Sequence, residues 1–432
     1  MKKYLALLLV LVMVLSLAAC ASKPAETTDE PEQTTTEPAP AEETKDEEPA
    51  PAEETKEEEP TEEPADNTEY AVAMITDYGD ITDQSFNQTT YEACKAFCED
   101  NGVEFSYFKP AGDNTADRVA MIEKAVDEGY NVIVMPGYAF GGAIVEAAPE
   151  YPDVKFVALD VAKGDLLEAG VAKAGESYDY NPDNWDLEKY VDMSNVYCAI
   201  YQEELCGYMA GYAAVKMGYK SLGFLGGMAV PAVQRYGYGF VQGVDAAAKE
   251  MGLSDVKVNY VYGGQFSGDA DITAAMDTWY KGGTKVVFAC GGGIYSSAAE
   301  AAQKVGAKVI GVDVDQAGII DSKYGDKMTL TSAMKGLAPT VKTMLTEIMA
   351  SNWDKYAGKV ETLGLVSGDD PTLNYVQLPM DTTQWTDSFT QDNYKSLVKD
   401  MFDGKITVSN DITKSAADFA TVITVDDQGK IK

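Results

Sequence analysis

The chain has 432 residues, with 34 Lys+Arg against 70 Asp+Glu, no histidine, and a formal net charge of −36. At about 100–200 residues per domain this length suggests two or more domains, and the acidity disfavours a phosphate backbone and hence nucleic acid as partner. Without histidine there is no Ser-His-Asp or Cys-His catalysis, and the commonest zinc ligand is missing too.

The chain opens with Lys2 and Lys3, the apolar run Tyr4 to Leu17, and then Ala18-Ala19-Cys20. A basic start, a short apolar stretch and small residues before the cut predict a secretory signal peptide over 1–20, too short for a membrane span. Leu17 to Cys20 resembles a bacterial lipobox, which implies that Cys20 is lipidated. Two or more acyl chains are enough to hold a protein at a bilayer. An ordinary signal peptide with an incidental cysteine is the alternative.

Residues 21–69 carry 3 Lys against 19 acids and repeat Pro-Ala-Glu-Glu-Thr-Lys at 40–45 and 51–56. Without aromatic or large aliphatic residues, such a segment cannot bury enough apolar surface to offset chain entropy, so a disordered linker is expected. As a flexible coil it would span about 40 Å, and charge repulsion would stretch it further. Five cysteines follow Cys20, an odd number that argues against a full disulfide framework. Cys94 and Cys98 lie four apart in a helical pattern and read as small packed hydrophobes. With no Cys-x-x-Cys pair there is no sign of a thiolate metal site, and no cofactor is expected.

From Tyr70 on, apolar runs alternate with amphipathic stretches. Strands are predicted at 70–76, 103–108, 131–135, 155–159, 196–201, 221–225, 257–262, 285–290, 308–312 and 328–332. Helices are predicted at 85–101, 114–128, 140–149, 203–217, 233–251, 270–281, 294–306 and 336–351. Runs such as Asn131 to Met135 and Lys285 to Ala289 are apolar almost throughout, as parallel strands covered on both faces should be. The rhythm predicts an α/β protein with two lobes, each a doubly wound parallel sheet, and a ligand cleft between them. A break at 162–195 holds an acidic, aromatic insert around Tyr178 to Trp185. The first lobe is read as 70–198 with a return segment at about 314–350, and the second as 199–313 with part of 351–432. The chain crosses between lobes near 198–202.

In open α/β sheets ligands bind beyond the carboxyl ends of the strands. Those ends hold Asp77, Asp160, the turn Gly291-Gly292-Gly293, Asp313 and Lys335. Each has a structural alternative: an aspartate can cap the next helix, and the glycines can form a plain turn. No Gly-Lys-Ser/Thr follows, so a P-loop is excluded. Asp179, Asn181, Asp183 and Asp186 superficially suggest a calcium loop, but the glycine its sharp turn requires is missing.

Five ordered motifs carry a resemblance. Asp83-Gln84-Ser85-Phe86-Asn87-Gln88 resembles the D-x-S-F-N-Q signature of the basic membrane protein family, whose members include purine nucleoside receptors of ABC importers. Gly207 to Gly211 resembles its G-x-x-A-G. Leu222 to Gly227 with Phe240 to Gly243 resembles its G-F-x-G-G and G-F-x-x-G. Gly311 to Gln316 resembles its G-V-D-x-D-Q, and Ser332 to Lys335 its S-x-x-K. The resemblance runs from about 72 to 345. It implies a periplasmic-binding-protein type I fold and a lipid-anchored receptor on the extracytoplasmic face of the cell membrane, a monomer partnered by an ABC permease.

It further implies a purine held between Phe86 and Phe266, with Tyr262 as the alternative second ring, since flat rings gain from stacking. Asp313 would accept from the ribose diol, Lys335 would neutralise that carboxylate, Asp77, Asn87 and Asp160 would meet the base edge or ribose, and Gly292 would let backbone approach the ligand. Ala93 replaces a usual family glycine, and the Tyr178–Trp185 insert is a candidate cover for the cleft. The competing readings are a receptor of the same build for a sugar or signalling molecule, a nucleoside hydrolase using the aspartates, and a sensor domain.

Overall fold

A computed structural model describes residues 70–432; the expected signal peptide and linker, with Cys20, lie outside the described residues. The first lobe runs β1 (Ala71–Ile75), α1 (Phe86–Asn101), β2 (Glu104–Phe108), α2 (Thr115–Asp127), β3 (Val132–Pro136), α3 (Gly141–Ala147), β4 (Lys155–Leu159), α4 (Lys163–Lys173), a one-turn α5 (Leu187–Tyr190) and β5 (Val196–Tyr201). The second runs α6 (Glu203–Lys216), β6 (Ser221–Gly226), α7 (Pro231–Glu250), β7 (Lys257–Tyr262), α8 (Ala270–Lys281), β8 (Val286–Cys290), α9 (Tyr295–Gln303), β9 (Lys308–Asp313), α10 (Ala317–Tyr324) and β10 (Thr329–Lys335). The chain then returns to the first lobe with α11 (Leu337–Met349), which packs on α1, and β11 (Lys359–Leu363). It ends on the second lobe with β12 (Val376–Gln377), α12 (Gln391–Phe402) and β13 (Thr424–Lys430).

The first sheet has the order β11-β5-β4-β3-β1-β2 and the second β12-β10-β9-β8-β6-β7-β13. All neighbours are parallel except β12, which runs antiparallel to β10. Without their late additions both sheets follow one doubly wound plan, reversing direction between β1 and β3 and between β6 and β8. Crevices open at such reversals because successive helices leave to opposite faces. The central strands explain the apolar runs: every residue of β3 and of β8 is buried.

Three boundaries differ from the sequence reading. The supposed break at 162–195 contains α4, whose Leu166, Leu167 and Val171 are buried against the sheet. The return to the first lobe begins at α11 and not near 314, because β10 pairs in parallel with β9. Similarly, β5 pairs with β4 over Val196–Ala199 and with β11 as far as Tyr201, so the first crossing falls at Gln202 and residues 199–201 belong to the first lobe. The chain thus crosses at 202, at 336 and between 364 and 375.

The G-x-x-A-G stretch has a packing reason. A β-carbon on Gly207 would lie 2.1 Å from the Tyr236 carbonyl oxygen, and one on Gly239 would lie 2.0 Å from that of Glu204. Helices α6 and α7 therefore cross backbone to backbone, which brings Glu203 beside Arg235. Gly239→Ala is expected to cost at least about 1–3 kcal/mol by overpacking, measured by urea denaturation. Alanine would ordinarily favour a helix by about 1 kcal/mol over glycine, so a stabilised variant would disprove the close contact.

Candidate functional site

The eight residues singled out from the sequence, Asp77, Phe86, Asn87, Asp160, Phe266, Gly292, Asp313 and Lys335, all line one cavity of about 490 Å³ between the lobes. That size falls within the range of small-molecule sites. The first lobe builds its wall from the turns after β1, β3 and β4 and from the start of α1. Asp77 Oδ1 accepts the backbone N–H groups of Tyr78 and Gly79, each at 2.6 Å, so it does not cap a helix. Burial pushes its carboxyl above the usual range, and those two N–H groups pull against the rise.

The cap of α1 is Asp83. Its Oδ1 accepts from Ser85 N at 2.9 Å and Gln88 N at 3.1 Å, and its Oδ2 from Asn87 N at 2.9 Å. Asn87 Nδ2 also donates to Asp83, at 3.1 Å, which fixes the orientation of the amide, since a carboxylate only accepts. Asn87 Oδ1 is then buried without a partner, and so is Asp160 Oδ1. Both atoms belong to residues that line the cavity. Asp160 sits at φ +62°, a conformation that aspartate tolerates better than most residues. It is not a cap either, because Asp165 accepts the Ala162 N–H at the start of α4 at 2.8 Å.

The second lobe supplies the opposite wall. Phe266 follows β7 and lies on a glycine bed: a β-carbon on Gly227 would come within 2.3 Å of its ring, and one on Gly291 within 2.9 Å. Gly292 takes φ +50°, where a β-carbon would also press on the Phe266 carbonyl oxygen at 3.0 Å. Tyr262, the alternative ring, bonds Tyr260 at 2.9 Å and packs edge-on against Phe224, away from the residues that line the cavity. The Tyr178–Trp185 insert contributes none of the lining residues. Asp179 instead accepts from Asn184 and Trp185, each at 2.7 Å, in a hydrogen-bonded corner.

Lys335 is the electrostatic centre. Its ammonium donates to Asp160 Oδ2 at 2.6 Å and lies 3.6 Å from both Glu203 Oε1 and Asp313 Oδ1. It also lies 4.8 Å from the Phe86 ring centroid, within cation–π range. Burial opposes its charge, but Asp160, Asp313 and Glu203 outweigh that and hold it above the usual lysine range. Asp313, at φ +64°, accepts the Ser85 hydroxyl across the cleft at 2.6 Å. A second bond between lobes runs from Gln316 Nε2 to the Gln84 carbonyl at 3.1 Å. Burial raises the Asp313 carboxyl, while Lys335 and Ser85 work against it.

Sequence reasoning missed Glu203, Arg235 and Asp165. Glu203 is buried at the first crossing and accepts from Arg235 Nε at 2.6 Å. Burial pushes Asp165 up to about 7, opposed by the Ala162 N–H and by Arg235. One usable signal was present: the chain has two arginines in all, Arg118 and Arg235. Both are near this cleft, Arg235 in its lining and Arg118 beside Asp77, whose carboxyl its charge helps to lower.

Residues 70–369 match the model of the family described as ABC transporter substrate-binding protein PnrA-like. The chain is 27% identical over 358 residues to the "ABC transporter nucleoside-binding protein BmpA" of Lactococcus lactis, covering 79% of this chain and 89% of that one. It is 26% identical over 305 residues to "Basic membrane protein B" of Borreliella burgdorferi, covering 69% and 79%. An ABC transporter solute-binding protein of Conexibacter woesei shares the fold, with a TM-score of 0.57 at 20% identity, over 79% of this chain and 99% of that one.

Proposed function

The chain belongs to the PnrA-like family of ABC transporter substrate-binding proteins, and from that premise we propose that it captures a purine nucleoside and delivers it to a membrane permease. The observation that carries this reading is the pair of unpartnered buried acceptors, Asn87 Oδ1 and Asp160 Oδ1, in a cavity walled by Phe86 and Phe266. A purine offers N–H donors at its edge and two flat faces, and a ribose offers hydroxyl donors. Asp313 would hold the 2′,3′-diol with Lys335 beside it. Stacking on each ring adds about 0.5–1.5 kcal/mol to simple burial. The name of the Lactococcus relative supports the same ligand class.

Capture would proceed by hinge closure across the three crossings, with the Ser85–Asp313 and Gln316–Gln84 bonds latching the lobes. One chain supplies both walls, so a monomer suffices. Among the described residues no helix is long and apolar enough to cross a membrane; in this reading the lipidated Cys20 and the linker tether the receptor to the outer face of the membrane.

A thermal-shift series with adenosine, guanosine, inosine and ribose tests the proposal. A purine nucleoside at 100 times its Kd is expected to add about 2.7 kcal/mol, and ribose alone far less. Stabilisation by ribose but by no nucleoside would favour the sugar receptor instead. Incubation with inosine is expected to release no hypoxanthine; sustained release would identify a hydrolase.

A further inference from the structure

We propose that Arg235 and Asp165 form a second polar subsite in the cavity, one that reads the primary 5′-hydroxyl of the bound nucleoside and rejects a phosphate there. This rests on the nucleoside reading above. Arg235 has five N–H donors. Among the described residues one hydrogen bond uses them, Nε to Glu203 Oε2 at 2.6 Å, although the side chain is only 12% exposed. The two terminal nitrogens of this cavity-lining residue have no hydrogen-bond partner among the described residues.

Across the cleft, Asp165 spends Oδ2 on the Ala162 N–H at 2.8 Å, and its Oδ1 has no hydrogen-bond partner among the described residues. Asp160 Oδ1 is also unpartnered, on a side chain only 10% exposed. The guanidinium is close enough to act electrostatically on both aspartates, yet no ion pair joins it to either within 4.0 Å. A gap lined by donors on one side and acceptors on the other suits a group with both capacities. A hydroxyl accepts from Arg235 and donates to Asp165 or Asp160.

A phosphate dianion has no proton to give these carboxylates. It would enter a site where four carboxyl groups, Asp160, Asp165, Glu203 and Asp313, outnumber two cations, Lys335 and Arg235. This end of the cavity therefore selects a neutral ligand.

The test is calorimetry on the full chain with whichever of adenosine, guanosine and inosine binds most tightly, its 5′-deoxy analogue and its 5′-monophosphate. The parent is expected to bind the 5′-deoxy compound at least tenfold more weakly than the nucleoside, and the monophosphate at least a hundredfold more weakly. Arg235→Gln is expected to erase the difference between nucleoside and 5′-deoxy compound. Asp165→Asn, which keeps an acceptor for the Ala162 N–H, is expected to bind the monophosphate at least tenfold more tightly than the parent does.

Equal affinity of the parent for nucleoside and 5′-deoxy analogue would overturn the subsite alone. So would an unchanged monophosphate affinity in Asp165→Asn, even if Arg235→Gln fails to fold. Absence of binding by all three nucleosides would overturn the nucleoside reading and this inference with it.

Discussion

Lys335→Met is expected to destabilise the protein by about 3–5 kcal/mol, the usual cost of removing one partner from a buried ion network. The Lys335 side chain is 3% exposed and its ammonium stands between Asp160, Glu203 and Asp313, whose side chains are 10%, 0% and 8% exposed. Without it, only Glu203 would keep a cationic partner, Arg235. Burial already raises Glu203 and Asp313 above their unfolded values, and Lys335 limits that rise. In the variant both would rise further, so the folded state would hold more protons than the unfolded one. Stability then falls as pH climbs above the ordinary carboxylate range. Urea denaturation at pH 5 and pH 8 should show the larger deficit at pH 8. A deficit below 1 kcal/mol, or one equal at both values, would contradict the network as described.

Asp313→Ala is expected to weaken nucleoside binding by about 100-fold or more, since two hydrogen bonds to a charged acceptor contribute roughly 1.5–3 kcal/mol each. The fold should survive. Lys335 keeps its 2.6 Å contact with Asp160, and the main structural costs are a left-handed alanine, roughly 1–2 kcal/mol, and the lost acceptor of Ser85. Asp313→Asn, which tolerates φ +64° better, should be intermediate in binding. Calorimetry decides the matter: an alanine variant that binds as tightly as the parent would remove the ribose role from Asp313.

Much of the framework was legible because parallel strands covered on both faces read as apolar runs; all ten expected strands are present, from Ala71–Ile75 to Thr329–Lys335. What escaped notice had a weak pattern. In α4, Gly164 and Gly170 interrupt the apolar face, and Gly170 leaves no room for a side chain beside the Tyr190 carbonyl, where a β-carbon would come within 2.9 Å. The edge strands β11 and β13 are mostly polar and partly exposed, so they lack the hydrophobic signal of the interior.

By itself the sequence determined that strand ends carrying Asp77, Asp160, Asp313 and Lys335 belong to α/β units, because periodicity and strand-end position are local properties. Only the tertiary structure decided which charges meet. Glu203 reaches Arg235 because glycines let α6 and α7 touch, and Lys335 reaches Asp160, 175 residues away, because β10 stays in the second sheet. Asp83 and not Asp77 caps α1, which leaves Asn87 Oδ1 unpaired at the cavity. Pairings of this kind depend on lobe packing and hinge geometry, and the spacing of residues along the chain does not encode those distances.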